Sequence, residues 1–361
     1  MTNHHHFMQM ALNLAQDQSG QTWPNPFVGA VLVKDGQVIA RAATANGGRP
    51  HAETQAIEQA GSNAKGATLY VTLEPCAHDG ETPPCAKAVI DAGIRQVVIA
   101  CGDKDVRTYG KSIEQLKAAG IDVITGICEE EARWQHRGFF SRVERGRPWV
   151  TLKMAASLDG KVALGNGTSK WITGDQAREY GHILRAENDA ILSTSRSIAK
   201  DNSRLTCRLP GLEHRSPLRI VMDRHLRLEG RGDLFVADDS PIWIMTYKDA
   251  TDAYTLPTHA QLFTLNHSKD WLGDLFAFLG KQGLTRVLVE TGGTFASALL
   301  GAGLVDELQW FTAPIIIGEE GISAVRSLNA DSLEQLHEQW QLQQTRQFGD
   351  DRLSILVRHR D

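Results

Sequence analysis

At 361 residues the chain is longer than one hydrophobic core ordinarily serves, so its length predicts two domains. Its 38 Lys+Arg against 43 Asp+Glu leave a net charge of −5, which offers no field to a nucleic-acid backbone and favours a small-molecule substrate. Apolar runs are strand-sized or periodic and none reaches the ~20 residues of a membrane span, while the N-terminal stretch "MTNHHHFMQMALNLAQDQSG" lacks the pattern of a secretory signal; the expectation is a cytoplasmic protein without a membrane segment.

After a first helical pattern from "MQMALNLA" onward, "VGAVLVKDGQVIA" (28–40) predicts a hairpin about Asp35-Gly36. "AETQAIEQAG" predicts a helix ending at Gly61, and "ATLYVTL" (67–73) a buried strand. Helix, strand, helix and strand follow at "CAKAVIDAGI", "QVVIAC", "SIEQLKAAG" and "IDVITG", an alternation that implies parallel strand pairs covered by helices. "EEEARWQHRGFFSRVERG" (129–146) predicts one terminal amphipathic helix, and "GRP" (146–148) marks the boundary between domains 1–146 and 147–361. A second series then runs through "WVTLKMAASLDG", "DAILSTS", "LRIVMD", "PIWIMT", "TRVLVE", "ASALLGAGLVDELQWFTAP" and "RLSILVRHR". Two α/β domains are predicted. The triplet His4, His5 and His6 is expected to be a solvated terminal run, and Cys101, Cys128 and Cys207 ordinary buried thiols of a reducing compartment.

The chemistry concentrates in "PHAE" (50–53) and "LEPCAHDGETPPC" (73–85). A catalytic zinc takes three protein ligands and leaves one position for water. His51, Cys76 and Cys85 supply three, and Glu53, two residues beyond the histidine, stands where a proton carrier is needed. This order, His-x-Glu followed by Pro-Cys and a second Cys, belongs to zinc deaminases in which water displaces a ring amine.

On "PNPFVGAVLV" (24–33), "PHAE", "ATLYVTLEPCAH" (67–78) and "TPPC" (82–85), the first part resembles the pyrimidine deaminase half of the bifunctional bacterial riboflavin-biosynthesis deaminase/reductase family. The resemblance implies a cytidine-deaminase-like three-layer domain, with Asn25 and His78 touching the pyrimidine. The chain departs from the family at Glu81, where a basic residue is usual, and at "DKDVRTYGKS" (103–112), which replaces an Asp-Pro-Asn-Pro loop; Lys104, Arg107 and Lys111 are candidate replacements for lost phosphate contacts.

"LKMAASLDGKVAL" (152–164) and "SKWITG" (169–174) are similar to the reductase half of the same family, which implies a dihydrofolate-reductase-like domain using NADPH. Locally they predict a turn at "SLDG" and a helix capped by Thr173 or Asp175. "VLVETGGTFASALL" (287–300) joins a buried strand to a helix through Gly292 and Gly293, an arrangement suited to a phosphate. "AKDNSRLTCR" (199–208) resembles a family loop in which Asn202 and Ser203 stand for an aspartate and a proline. The resemblance implies that Lys153, Ser169, Arg185, Leu205, Arg208 and Glu290 line the substrate site, Arg185 and Arg208 as forks for the ribose phosphate. It implies cofactor contacts from Ala155, Trp171, Thr173, Ser197, Asp201 and Gly292–Thr294, and analogy with dinucleotide folds adds Arg224 for the extra phosphate of NADPH.

The expected function is zinc-dependent deamination of a ribosylated diaminopyrimidine phosphate followed by NADPH-dependent reduction of the ribose, by a homo-oligomer that binds no nucleic acid. The alternatives are a nucleoside or nucleic-acid base deaminase with a degenerate second domain, and a binding protein with dead sites.

Overall fold

The computed structural model describes residues 3–236, 240–247, 256–266, 268–328, 332–333, 336 and 339–359. The chain divides into two units, Met1–Pro148 with Gly280–Thr285, and Trp149–Leu279 with Arg286–Asp361.

The first unit opens with α1 (His4–Gln16), started by the Asn3 side chain accepting from the His6 N–H and buried along Met8, Ala11, Leu12 and Ala15. The histidine triplet forms the first helical turn; His5 and His6 are solvated as expected, while half-buried His4 has Nδ1 3.0 Å from the Tyr70 hydroxyl. β1 (Gly29–Lys34) and β2 (Gln37–Ala43) form the expected hairpin, with φ of 50° at Asp35 and 77° at Gly36. Those two left-handed residues match the turn to the twist of the strands. α2 (Ala52–Ala60), β3 (Thr68–Leu73), α3 (Cys85–Asp91), β4 (Gln96–Cys101), α4 (Lys111–Ala118) and β5 (Asp122–Thr125) follow as predicted. The sheet order is β2-β1-β3-β4-β5, antiparallel on the hairpin side and parallel from β3 to β5. All six residues of β3 are buried, Thr68 and Thr72 among its apolar neighbours, as suits a central strand.

The predicted terminal helix is two helices, α5 (Glu129–Gln135) and α6 (Arg137–Arg145). His136, at φ −87° and ψ 7°, ends the first and caps the second, and its buried ring reaches Thr72 Oγ1 on β3 at 3.3 Å. The amphipathic pattern continues across this break, so periodicity alone gave no sign of it. Cys101 and Cys207 are buried as expected; Cys128 is only half-buried, at φ 58° beside His5.

The second unit begins with β6 (Trp149–Ser157), the "SLDG" turn and β7 (Lys161–Ala163). Asp159 and the Lys161 N–H share the Ser157 hydroxyl to hold that turn. α7 (Asp175–Ala186) has Gly174 at its cap position with no side-chain cap, correcting the expectation of Thr173 or Asp175; the Gly174 N–H instead donates to Asp351 Oδ2 at 2.7 Å. The remaining elements are β8 (Ala190–Thr194), α8 (Ser195–Asp201), β9 (Leu218–Met222), α9 (Asp233–Val236), β10 (Ile242–Thr246), β11 (Ala260–Thr264), α10 (Trp271–Lys281), β12 (Arg286–Glu290), α11 (Gly293–Gly301), β13 (Glu307–Ala313), β14 (Ile322–Ser323), β15 (Trp340–Phe348) and β16 (Asp351–Arg358). Of the last predicted strand, Arg360 lies outside the described residues. Nine strands run β11-β10-β9-β8-β12-β6-β13-β16-β15, parallel as far as β13 and antiparallel thereafter. β9 and β10 are buried along their whole length, so the sheet next to its β11 edge is covered on both faces.

Candidate active sites

In the first unit the ligand candidates converge from three chain segments. His51 is the extended residue just before α2, Cys85 is the first residue of α3, and Cys76 follows the end of β3. His51 Nδ1 lies 3.2 Å from Cys85 Sγ and 3.7 Å from Cys76 Sγ, and the three donor atoms are all within 4.8 Å of one another. The Cys85 backbone N–H also donates to Cys76 Sγ at 3.2 Å. Hydrogen bonding from Cys85, with His51 adding to it against the effect of burial, holds the Cys76 thiol at about 4, while Cys76 and burial push the Cys85 thiol up. Two sulfurs and an imidazole sharing so small a space are the soft donor set that suits zinc. Glu53, in the first turn of α2 and buried, lies against His51 and Cys85, and burial raises its carboxyl above the usual range.

Asn25 and His78 are half-buried, each with a hydrogen bond that orients it. Asn25 Nδ2 donates to the Gly48 carbonyl at 2.9 Å, and His78 Nδ1 is 3.2 Å from Thr108 Oγ1. The cations of the 103–112 loop are engaged within the chain: Lys104 pairs with Glu144, Arg107 with Asp105, and Lys111 donates to the Val106 carbonyl. Glu81 meets Arg49 at 3.2 Å, and Arg49 also donates to Thr82 Oγ1 at 2.6 Å. This contact was not visible in the sequence.

The same loop holds a buried acid. Burial pushes Asp103 up to about 6, against the Asp105 N–H that favours its charge, with Asp105 and Glu74 adding repulsion. Its folded pKa therefore lies above the ordinary 3.8, so folding takes up a proton between those values and stability falls as pH climbs from about 4 to about 6. Asp103→Asn, which keeps the acceptor for the Asp105 N–H, is expected to stabilise the first unit by roughly 3 kcal/mol at pH 7.5 and to change little at pH 3.5. Denaturant unfolding at the two pH values checks this, and an equal effect at both would refute it.

In the second unit a cavity of about 630 Å³ opens at the ends of the parallel strands. Of the substrate candidates, Lys153, Ser169, Leu205 and Glu290 line it. So do the cofactor candidates Ala155, Ser197, Asp201 and Arg224, and the Gly292–Thr294 turn. Trp171 and Thr173 do not line it; Trp171 is exposed with the Arg178 guanidinium 4.4 Å from its ring, and the Thr173 carbonyl accepts from Arg178.

Arg185 and Arg208 also stand outside the cavity lining. Arg185 makes a two-pronged bond to Glu290, both contacts 2.8 Å, and donates to the Thr206 carbonyl at 3.0 Å. Arg208 is exposed; its side chain shares that carbonyl at 3.5 Å, and its backbone N–H donates to His182 Nδ1. Burial, with Arg185 and Arg208 beside it, lowers His182 to about 4 and keeps that nitrogen an acceptor at neutral pH. Burial alone would raise Glu290, but Arg185 and then Lys153 outweigh it and hold the carboxyl at about 2. Burial pushes Lys153 down, with Glu290 opposing.

Two features of this site were not legible beforehand. Leu205 is buried in a left-handed backbone, φ 60°, a strained conformation for a residue with a side chain. At Gly293 an added Cβ would sit 2.6 Å from the Ser323 carbonyl and 2.7 Å from that of Ala324, so glycine there answers a close approach of the chain's own backbone. Arg196, Lys200, Arg227 and Trp271 also line the cavity, and the Arg224 guanidinium lies 5.5 Å from the Trp271 ring centroid.

Residues 148–354 match the family profile of the RibD C-terminal domain, and residues 1–101 that of the cytidine and deoxycytidylate deaminase zinc-binding region. The riboflavin biosynthesis protein RibD of Aquifex aeolicus is 40% identical over 91% of this chain and 91% of its own. The chain belongs to the RibD family. The Haemophilus influenzae RibD is 37% identical over 96% of this chain and 95% of that protein. The Acinetobacter baumannii RibD structure superposes with a TM-score of 0.88 at 35% identity, covering 99% of both chains. A Thermotoga maritima diaminohydroxyphosphoribosylaminopyrimidine deaminase/5-amino-6-(5-phosphoribosylamino)uracil reductase gives 0.86 at 32%, again over 99% of both. As a RibD, the chain is a bifunctional enzyme of riboflavin biosynthesis, pairing a zinc deaminase of cytidine-deaminase-like fold with a reductase that uses NADPH on a dihydrofolate-reductase-like fold. No helix among the described residues is long and apolar enough to cross a membrane.

Proposed function

We propose that residues 1–146 deaminate 2,5-diamino-6-(5-phosphoribosylamino)pyrimidin-4-one and that residues 147–361 reduce the ribose of the product to ribityl. The observation that carries this reading is the convergence of His51, Cys76 and Cys85 with the buried Glu53 against them. Those three donors would hold zinc, which would supply Lewis-acid activation of water. Glu53 takes a proton from that water and passes it toward the leaving amine, so that water is consumed and ammonia released. Asn25 and His78 orient the pyrimidine.

In the second unit NADPH supplies the hydride. Ala155, Ser197, Asp201 and the Gly292–Thr294 turn, which line the cavity, hold the dinucleotide, and Arg224 takes its extra phosphate; Trp171 and Thr173 stand outside that lining and are not assigned to it. Lys153, Ser169, Leu205 and Glu290 surround the sugar. The lowered Lys153 pKa suits proton transfer to it. Arg208, which stands outside the cavity lining and shares the Thr206 carbonyl with Arg185, is the remaining candidate for the substrate phosphate. The reading extends to a cytoplasmic homo-oligomer, supported by the family resemblance.

Purified protein given the amino precursor without NADPH should release ammonia and stop. With NADPH present, its oxidation should follow ammonia release mole for mole, whereas the deaminated compound should be reduced at once with no ammonia. NADPH oxidation that ignores both pyrimidines would sink the assignment of the second unit, and absence of ammonia that of the first.

A further inference from the structure

The 103–112 loop lies against the deaminase site, yet its charged side chains are spent on contacts within the chain. Glu74, a buried residue in the segment leading to Cys76, anchors both ends of the loop. Its Oε2 accepts the backbone N–H groups of Asp103 at 3.2 Å and Gly110 at 3.1 Å, and its Oε1 accepts the Ser112 hydroxyl at 2.9 Å. Between those anchors Thr108 is fully buried, with its backbone N–H on the Asp105 carbonyl and its own carbonyl accepting from Lys111, each at 2.8 Å. Nothing about its position leaves the side chain free to wander. Among the described residues its hydroxyl meets one side chain, the His78 ring, at Nδ1.

A histidine ring has two distinct nitrogens, and a hydrogen bond to one settles both the ring's rotation and which nitrogen remains for another partner. A buried hydroxyl on a doubly anchored loop is a rigid device for this purpose. We propose that Thr108 is a positioning residue for deamination: it holds His78 Nδ1 and so presents Nε2 to the pyrimidine, with Glu74 supplying the fixed loop that makes the hold specific. The inference rests on the reading of His78 as a substrate contact. It gives the altered 103–112 loop a role as support for a binding group, independent of any phosphate contact by the loop's cations.

The test uses the full-length zinc-loaded protein and four variants, Thr108→Val, Thr108→Ser, His78→Ala and the double Thr108→Val/His78→Ala, assayed for ammonia release. Removing one orienting hydrogen bond should raise KM for the amino precursor by about tenfold with kcat within about threefold. Thr108→Ser should stay within about twofold of the parent, because it keeps the hydroxyl. In the double variant the valine should add nothing to the histidine loss, since Thr108 acts only through that ring. NADPH oxidation with the deaminated compound reports the intact second unit and should be unchanged throughout. An unaltered KM in Thr108→Val beside an impaired His78→Ala would overturn the positioning role alone; full deamination by His78→Ala would remove the reading of His78 itself, and the inference with it. Loss of zinc from Thr108→Val would also overturn it, by showing that Thr108 supports the metal cradle and not one ring.

Discussion

Glu53→Gln is expected to keep a full complement of zinc and to lose deamination by a factor of roughly 10²–10⁴ or more. Glu53 is buried at the first turn of α2 and is not one of the three converging donor atoms, so replacing its carboxylate with an amide removes the proton carrier and leaves the metal ligands in place. The amide has the same shape and cannot shuttle a proton. Metal analysis and ammonia release on one preparation check both halves of the expectation. The same protein, given the deaminated compound, should still oxidise NADPH, because the residues proposed for that step belong to the other unit. Zinc loss in the variant would mean that Glu53 belongs to the metal site, and retained ammonia release would mean that another group moves the proton.

The second large effect is expected at Glu290→Gln. Arg185 grips both oxygens of this carboxylate at 2.8 Å, and Lys153, whose pKa burial lowers against the opposing charge of Glu290, adds a second cation beside it. Neutralising one member of a largely buried pair leaves its partners uncompensated, a change that costs at most about 3–5 kcal/mol and less where water still reaches the pair. The second unit should therefore unfold at distinctly lower denaturant, with NADPH oxidation lost and ammonia release by the first unit retained. The pH dependence follows from the same pair. The folded pKa of Glu290, about 2, lies below its ordinary value of 4.5, so its stabilisation is complete above about 4.5 and is lost as the pH falls toward 2. Unfolding measured between pH 3 and pH 7 should show this slope in the parent and a flatter one in Glu290→Gln. Equal stability of the two proteins at pH 7 would show that the pair is not what holds this corner of the sheet.

Several local features were readable from short stretches because their causes are short-range. The hairpin at Asp35-Gly36 needs two residues tolerant of positive φ, and both lie adjacent in the chain. The terminal helix failed for the opposite reason: the break at His136 is stabilised by a ring buried against Thr72, 64 residues away, while the local pattern stays amphipathic. The α7 cap differs from its local pattern for the same reason, since its Gly174 N–H is satisfied by Asp351 and not by a neighbouring side chain.

The sequence by itself determined the donor set of the metal site, the glutamate beside it and the pairing of two chemistries, because each is carried by residue types at close spacing whose reactivity is intrinsic. Which groups those residues face was decided only by the tertiary structure. Arg185 and Glu290 are 105 residues apart and both read as substrate ligands, yet folding turns them on each other. His78 and Thr108 meet across 30 residues, and Arg49 reaches Glu81 across the loop that carries the cysteines. Gly293, which suggested a phosphate turn, is also required by the carbonyls of Ser323 and Ala324. In each case the partner comes from another strand end or loop, and strand order, which no local pattern encodes, sets that adjacency.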